Sequence, residues 1–346
     1  MDENEYYRGK SILVTGGVGS IGKELVKNIL KMDVGAVRVL DNNETGLFDL
    51  GQELRSDKIR LLVGDVRDKE RLKRAMEGVD IVFHAAALKH VPLCEYNPFD
   101  AVKTNILGTQ NVLNVALDEE VEKVIVISTD KAANPVNVMG ATKLLAERLT
   151  LSANSYRGDR RTVFSCVRFG NVIASRGSVI PLFAEQIRTG GPVTVTDPEM
   201  TRFIMDIPKA TDLILRAGVM AHYGEIFILK MPVIKIGCLA ETMISFCTKN
   251  NGQNSKDIRI EIIGVRPGEK KYEELMTESE AEYAYENGSM FIVLQPHTLT
   301  YTLDEMQDII LPEGFHKSLR SRYSSSDEVV LTNDDLSVLL GELYPC

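Results

Sequence analysis

Residues 15–22 read Thr15-Gly16-Gly17-Val18-Gly19-Ser20-Ile21-Gly22. A short apolar run, Ser11–Val14, precedes them, and Ile21, Leu25, Val26, Ile29 and Leu30 follow at helical spacing. A glycine-rich turn between a strand and a helix is the phosphate-binding fingerprint of a βαβ unit. Gly16 permits the tight turn. Gly19 lets backbone approach a pyrophosphate at the N-terminus of the helix that Ser20 and Ile21 open, and Gly22 lets helix and strand pack closely.

Outward from this turn the pattern repeats. Apolar runs at Ala36–Leu40, Arg60–Val63, Asp80–His84, Lys123–Ser128 and Val163–Phe169 alternate with helical patterns over Leu47–Leu54, Lys69–Met76, Phe99–Leu117 and Gly140–Leu151. The alternation predicts an α/β fold: a doubly wound, parallel-sheet Rossmann fold. After about residue 170 the elements shorten and Gly and Pro become frequent, which predicts a smaller interleaved C-terminal substrate lobe. The expected division is 1–170 plus returning elements at about 201–230 for the dinucleotide-binding domain, with 171–200 and 231–346 forming the lobe. Ser318–Ser326 (SLRSRYSSS) reads as a mobile surface loop.

In this fold the acidic residue ending the second strand reads a ribose. Here it is Asp41, nineteen residues past Gly22. A carboxylate accepts both ribose hydroxyls and repels a 2′-phosphate, and Asn42, Asn43 and Glu44 supply no cation, so NAD is expected over NADP. Asp65 and Val66 are placed to edge the adenine. Ala85, Ala86 and Ala87 leave room for the cofactor.

The 346 residues carry 40 Lys+Arg against 49 Asp+Glu, a net charge of −9 with no long basic block, which argues against a nucleic-acid partner. No apolar run reaches the roughly 18 residues of a membrane helix. The opening MDENEYYRGK lacks a signal-peptide pattern. Five scattered cysteines form no C-x-x-C pair and read as thiols in a reducing cytosol, and no metal site is expected. A cytoplasmic enzyme without a membrane partner is therefore expected.

Further motifs carry a family resemblance. TGG-x-G-x-x-G, GDVRD (64–68), HAAA (84–87), Asn105 with Gly108, and Ser128 ending the fifth strand resemble the extended short-chain dehydrogenase/reductases. STDKAANPVNVMGATK (128–143), RFGNV (168–172), SRGSVIPLF (175–183), TDPEMTRF (196–203) and RPGEKKYEEL (266–275) resemble the UDP-N-acetylglucosamine 4,6-dehydratases of polysaccharide biosynthesis. The resemblance covers roughly 8–280. One departure stands out: the usual Tyr-x-x-x-Lys is Met139 and Lys143 here. A thioether takes no proton, so the tyrosine mechanism is ruled out. Methionine at this position also occurs in a branch of the dehydratases.

The resemblance implies oxidation at sugar C4, loss of water across C5 and C6, and hydride return to C6. It implies roles too. Lys143 and Asn105 would belong to the cofactor site, Lys143 at the nicotinamide ribose. Thr129 would bond the sugar O4. Asp130 is the expected acid for the C6 hydroxyl, and Lys131 the expected base at C5. Lys89 would contact substrate. Arg202 and Arg266 would hold the pyrophosphate of a UDP-sugar, Glu269 the uridine ribose, and Asn171 a phosphate or the sugar. Val179, Pro181 and Thr194 would line the uracil slot. The helices over 99–117 and 140–156 imply a homodimer or higher homo-oligomer. A 4-epimerase, a UDP- or dTDP-glucose dehydratase, and a non-catalytic NAD-binding subunit remain open, as does the C5 stereochemistry.

Overall fold

The computed structural model describes residues 2–173, 178–222, 224–251, 255–294 and 311–343. The chain opens with β1 (Ser11–Thr15), β2 (Ala36–Asp41), β3 (Ile59–Val63), β4 (Ile81–His84), β5 (Lys123–Ile127) and β6 (Val163–Arg168). It continues through β7 (Asn171–Val172), β8 (Val193–Val195), β9 (Thr201–Met205), β10 (Glu225–Leu229), β11 (Val233–Lys235) and β12 (Ile260–Ile262). It closes with β13 (Glu274–Met276), β14 (Ala284–Glu286), β15 (Met290–Leu294), β16 (His316–Lys317) and β17 (Tyr323–Ser324).

Ten of these strands form one sheet in the order β16-β14-β15-β10-β6-β5-β4-β1-β2-β3. The seven from β10 to β3 run parallel, and β15, β14 and β16 are added antiparallel. Every residue of β4 and β5 is buried, which explains their unbroken apolar runs: helices cover both faces. The strand order reverses between β1 and β4, and a crevice opens there above the strand ends.

Two of the expected boundaries shift. The strands β14, β15 and β16 lie within the expected lobe yet extend the main sheet, because their apolar residues (Ala284, Phe291, Ile292, Val293) complete its core. Conversely, β9 leaves the main sheet and pairs with β7 and β11. The second core gathers Ile180, Phe183, Val193, Ile234 and Met243 with Leu336 and Leu340 from the final helix, Asn333–Leu343.

The expected helix over Phe99–Leu117 contains a π-helical stretch, Val102–Gly108. Asn105 lies within it and is buried: its carboxamide accepts from the Leu88 amide and donates to the Leu88 carbonyl and to Thr142. A wider turn at this point aims a polar side chain at the segment after β4.

The second half of the serine-rich patch is packed rather than a mobile surface loop. Tyr323, Ser324 and Ser325 are buried, β17 pairs with β13, and the Tyr323 hydroxyl accepts from the Met231 amide at 2.8 Å. Tyr323 also stacks against Phe203 and Phe291, contacts that an apolar-period reading of a Ser/Arg-rich segment does not register. Among the described residues Cys94 and Cys166 are buried free thiols and Cys238 is a half-buried one, in line with the expectation for these three. Among the described residues no helix is long and apolar enough to cross a membrane.

Candidate functional site

Two cavities open at the ends of the parallel strands. The first, about 510 Å³, is lined by Gly16, Val18, Gly19, Asp41, Asn42, Asp65, Val66, Arg67, Ala85, Ala86 and Ala87. Its floor depends on absent side chains. Gly16 has φ +68°, and a Cβ there would fall 2.6 Å from the Ala86 amide nitrogen. A Cβ on Gly22 would collide with the Gly16 carbonyl, so this glycine serves packing rather than lining the cavity. Ser20 and Ile21 form the first turn of the helix Ser20–Leu30, whose N-cap is Gly19.

Asp41 accepts from the Val18 amide at 3.1 Å and the Asn43 amide at 3.0 Å, bracing the glycine turn. The N-cap of the next helix is Asn43, which leaves Asp41 to the cavity. Arg67 enters the same cavity from beyond β3, a cation that the residues following β2 do not announce. Its guanidinium is committed to Asp65 through contacts of 2.9 and 2.6 Å. A glycine cradle, a strand-end carboxylate and a polar adenine edge fit a dinucleotide.

The second cavity is about 670 Å³, within the usual range for small-molecule sites. Lys131, Asn171, Val179, Pro181, Thr194, Arg202, Arg266 and Glu269 all line it. Ser178 lines it as well, and its hydroxyl is buried without a hydrogen-bond partner among the described residues. Ser175–Gly177 of the SRGSVIPLF motif lie outside the described residues. Lys89 is exposed and is not part of either lining.

Beneath this cavity is a charged cluster. The Thr129 hydroxyl donates to Asp130 Oδ1 at 2.6 Å. Lys131 Nζ donates to Asp130 Oδ2 and to Glu273 Oε1, each at 3.1 Å. Arg202 Nε lies 3.4 Å from Glu273 Oε1, and Asn171 donates to Glu273 Oε2 at 2.7 Å. The Asp130 and Glu273 carboxyls are themselves within hydrogen-bonding reach. Glu273 was not anticipated. It lies within RPGEKKYEEL, and only its burial and its neighbours distinguish it from the other glutamates there.

The environment sorts these groups. Burial and then the Asp130 charge raise the Glu273 pKa to about 7. Burial also opposes ionisation of Asp130, but the Lys131 charge and hydrogen bonds outweigh it and hold that carboxyl below its usual range. Burial alone would lower the Lys131 pKa, yet the two carboxylates raise it. That direction runs against the expected base role at C5, because a base must first give up its proton. Lys143 differs: burial lowers its pKa, and Nζ donates to the Ile127 carbonyl at 2.6 Å. Met139 packs with Cys94 and Ala101 in a small core.

Two further residues stand at strand ends. Ser128 Oγ is buried without a partner among the described residues. His84 links Thr15 and Thr109 at 2.7 and 3.0 Å. Among the described residues, no group of three or more His, Cys, Asp or Glu side chains is arranged to hold a metal ion.

Residues 12–295 match the family described as polysaccharide biosynthesis protein. A Methanocaldococcus jannaschii protein described as an uncharacterized membrane protein is 56% identical over 346 residues, covering 99% of this chain and 98% of that protein. The capsular polysaccharide biosynthesis protein CapD of Staphylococcus aureus is 48% identical over 279 residues. That match covers 78% of this chain and 46% of CapD, so the chain spans about half of that relative's length. A UDP-glucose 4-epimerase of Rickettsia conorii is 38% identical over 335 residues, 94% of this chain and 96% of that protein. An X-ray structure of Pen from Bacillus thuringiensis is similar with a TM-score of 0.90 and 43% identity, covering 99% of this chain and 100% of that one.

Proposed function

The chain belongs to the polysaccharide biosynthesis protein family, nucleotide-sugar enzymes of the extended short-chain dehydrogenase/reductase type, and from that premise we propose that it is an NAD-dependent UDP-N-acetylglucosamine 4,6-dehydratase. The product is a UDP-4-keto-6-deoxy-N-acetylhexosamine. The observation that carries this reading is the Thr129-Asp130-Lys131 turn, buried against Glu273 at the wall of a cavity that Arg202, Arg266 and Glu269 also line. Loss of water needs a proton taken from C5 and a proton given to the oxygen on C6, and a cluster of carboxyls with opposed pKa shifts suits it. A plain epimerase needs no such group.

Bound NAD supplies the hydride chemistry. The residues of this chain would hold it: the backbone of Gly16 and Gly19 at the pyrophosphate, Asp41 at the adenine ribose, Asp65 and Val66 at the adenine. Lys143 would bond the nicotinamide ribose. For the substrate, Val179, Pro181 and Thr194 would enclose the uracil and Glu269 its ribose. Arg202 and Arg266 would meet the pyrophosphate by charge-assisted hydrogen bonds. Thr129 would bond O4, and Asp130 belongs to the carboxyl pair that serves O6. The enzyme would act as at least a homodimer.

A 4-epimerase is the second reading, favoured by the name of the Rickettsia conorii relative. One experiment separates them. The purified protein is incubated with NAD and UDP-N-acetylglucosamine, and the nucleotide sugar is weighed by mass spectrometry. Loss of one water supports the dehydratase. An isomer of unchanged mass supports the epimerase, and an unaltered substrate supports a non-catalytic NAD-binding subunit.

A further inference from the structure

Asp130 sits close to the proposed chemistry but faces inward. Its side chain is 1% exposed and does not line the 670 Å³ cavity, whereas Glu273 does. We infer that Glu273 is the proton carrier of the elimination, taking the proton from C5 of the 4-keto sugar and giving it to the departing C6 oxygen. This inference rests on the dehydratase reading and says which carboxyl of the pair moves the proton.

The geometry prepares Glu273 for the task. Its main chain is fixed by the serine-rich C-terminal strand: the Glu273 amide donates to Ser325 Oγ at 2.9 Å, and the Ser325 amide donates to the Glu273 carbonyl at 2.8 Å. Its carboxyl is aimed by Asn171, Lys131 and Arg202. The charged groups facing it are Asp130 and Lys131 on the turn after β5, Arg202 on β9 and Lys270 on its own loop. Lys270 points its Nζ to the Ala133 carbonyl at 2.9 Å. Lys131, paired with both carboxylates, acts as a fixed positive charge beside Glu273 rather than as a base.

The step balances within the substrate and one carboxyl. The C5–H bond breaks, its proton bonds to a Glu273 oxygen, and its electron pair passes into the enolate of the C4 ketone. The enolate pair then forms the C5=C6 double bond as the C6–O bond breaks. The departing oxygen keeps the bond pair and takes the proton back from Glu273, leaving as water. Glu273 ends as the carboxylate it began as, so no outside acid or base is consumed. A carboxyl that titrates at about 7 both accepts and releases a proton readily near neutral pH. Because the anion acts first, the rate rises as pH rises through that region.

The test uses the full chain with NAD and UDP-N-acetylglucosamine. In Glu273→Gln, loss of water falls by about a hundredfold or more, the usual scale for a missing general base or acid. Reduced nicotinamide accumulates, because C4 oxidation proceeds and elimination does not. A variant that dehydrates within about threefold of wild type overturns the inference, since general acid–base groups contribute far more than that. If Glu273→Gln shows no cooperative thermal transition, Glu273→Asp decides. Its rate limb near neutrality is displaced from the wild-type position if Glu273 carries the proton, and an unmoved limb overturns the inference. A wild-type protein that binds both ligands but releases no water overturns the dehydratase reading, and this inference with it.

Discussion

Lys131 Nζ lies 3.1 Å from Glu273 Oε1, joining residues 142 positions apart in the chain. The contact couples the turn after β5 to the loop before β13. Lys131→Met removes the ammonium that stands between two buried carboxyls. Glu273 then becomes harder to ionise, and the neutral limb of the pH–rate profile moves to higher pH. Stability falls by about 3 kcal/mol, as when one partner of a buried pair is deleted. A limb that stays in place or moves lower refutes the assignment of Lys131 as a charge-holding residue.

Cofactor choice turns on Asp41. Its carboxylate lines the first cavity, where it would repel a 2′-phosphate, and the Arg67 guanidinium there is committed to Asp65. Wild type is therefore expected to bind NAD more tightly than NADP. Asp41→Ser should narrow the ratio of the two affinities by about tenfold, roughly 1.4 kcal/mol. Titration of the purified protein with each oxidised cofactor measures it, and tighter NADP binding by wild type defeats the claim.

His84 gives the fold a built-in acid lability. Burial, then the Lys143 charge, lowers its pKa from the ordinary 6.5 to about 3. The folded state thus binds fewer protons than the unfolded state between these values. Its contribution is fully present above pH 6.5 and is lost as pH falls toward 3. His84→Gln keeps polar atoms near Thr15 and Thr109 but cannot charge. Its urea midpoint is expected to be lower than wild type at pH 7 and to fall less on acidification to pH 5. Parallel curves for the two proteins would remove His84 as the source.

An apolar face invites a second subunit. Tyr96 and Phe99 are 86% and 80% exposed, and Leu93, Leu107 and Leu145 are exposed near them. Light scattering is expected to give at least a dimer, and Tyr96→Glu with Phe99→Glu to shift it toward monomer. A monomeric wild type at micromolar concentration would end this reading.

What was legible in the sequence followed from short-range patterns. The glycine turn, Asp41 and the buried parallel strands are encoded within about thirty residues, so periodicity and spacing expose them. The 670 Å³ cavity was reached through motif resemblance, since its lining comes from segments between 91 and 273. Glu273 and Arg67 escaped because their roles depend on partners distant in sequence or on a shared cavity. The packed strand at Tyr323–Ser325 escaped for a related reason: hydroxyls satisfied by Met231, Thr201 and Glu273 look in sequence like solvated polar residues.

Arg168 is the firmest test of how the elements after the sixth strand are tied back to the main sheet. It is fully buried at the end of β6. It donates to Glu147 Oε1 and Oε2 at 3.0 and 2.6 Å, to both Glu280 oxygens at 2.9 Å, and to the Leu275 carbonyl at 2.8 Å. One planar guanidinium thereby ties the helix Val138–Ser152, the capping-box turn Glu278–Ala281 and β13 to the main sheet. Lysine cannot reproduce this fork, so Arg168→Lys is not a mild change. Arg168→Met strands two buried carboxylates and is expected to cost about 3–5 kcal/mol. Burial works against ionisation of Glu280, yet Arg168 and the Thr277 hydrogen bonds hold its pKa at about 2, below the ordinary 4.5. Its contribution is present above pH 4.5 and lost as pH falls toward 2, so Glu280→Gln flattens acid unfolding in that window. Urea unfolding at fixed protein and cofactor concentration measures both effects. An Arg168→Met variant within about 1 kcal/mol of wild type would mean that the carboxylates find other partners and that the joint lies elsewhere.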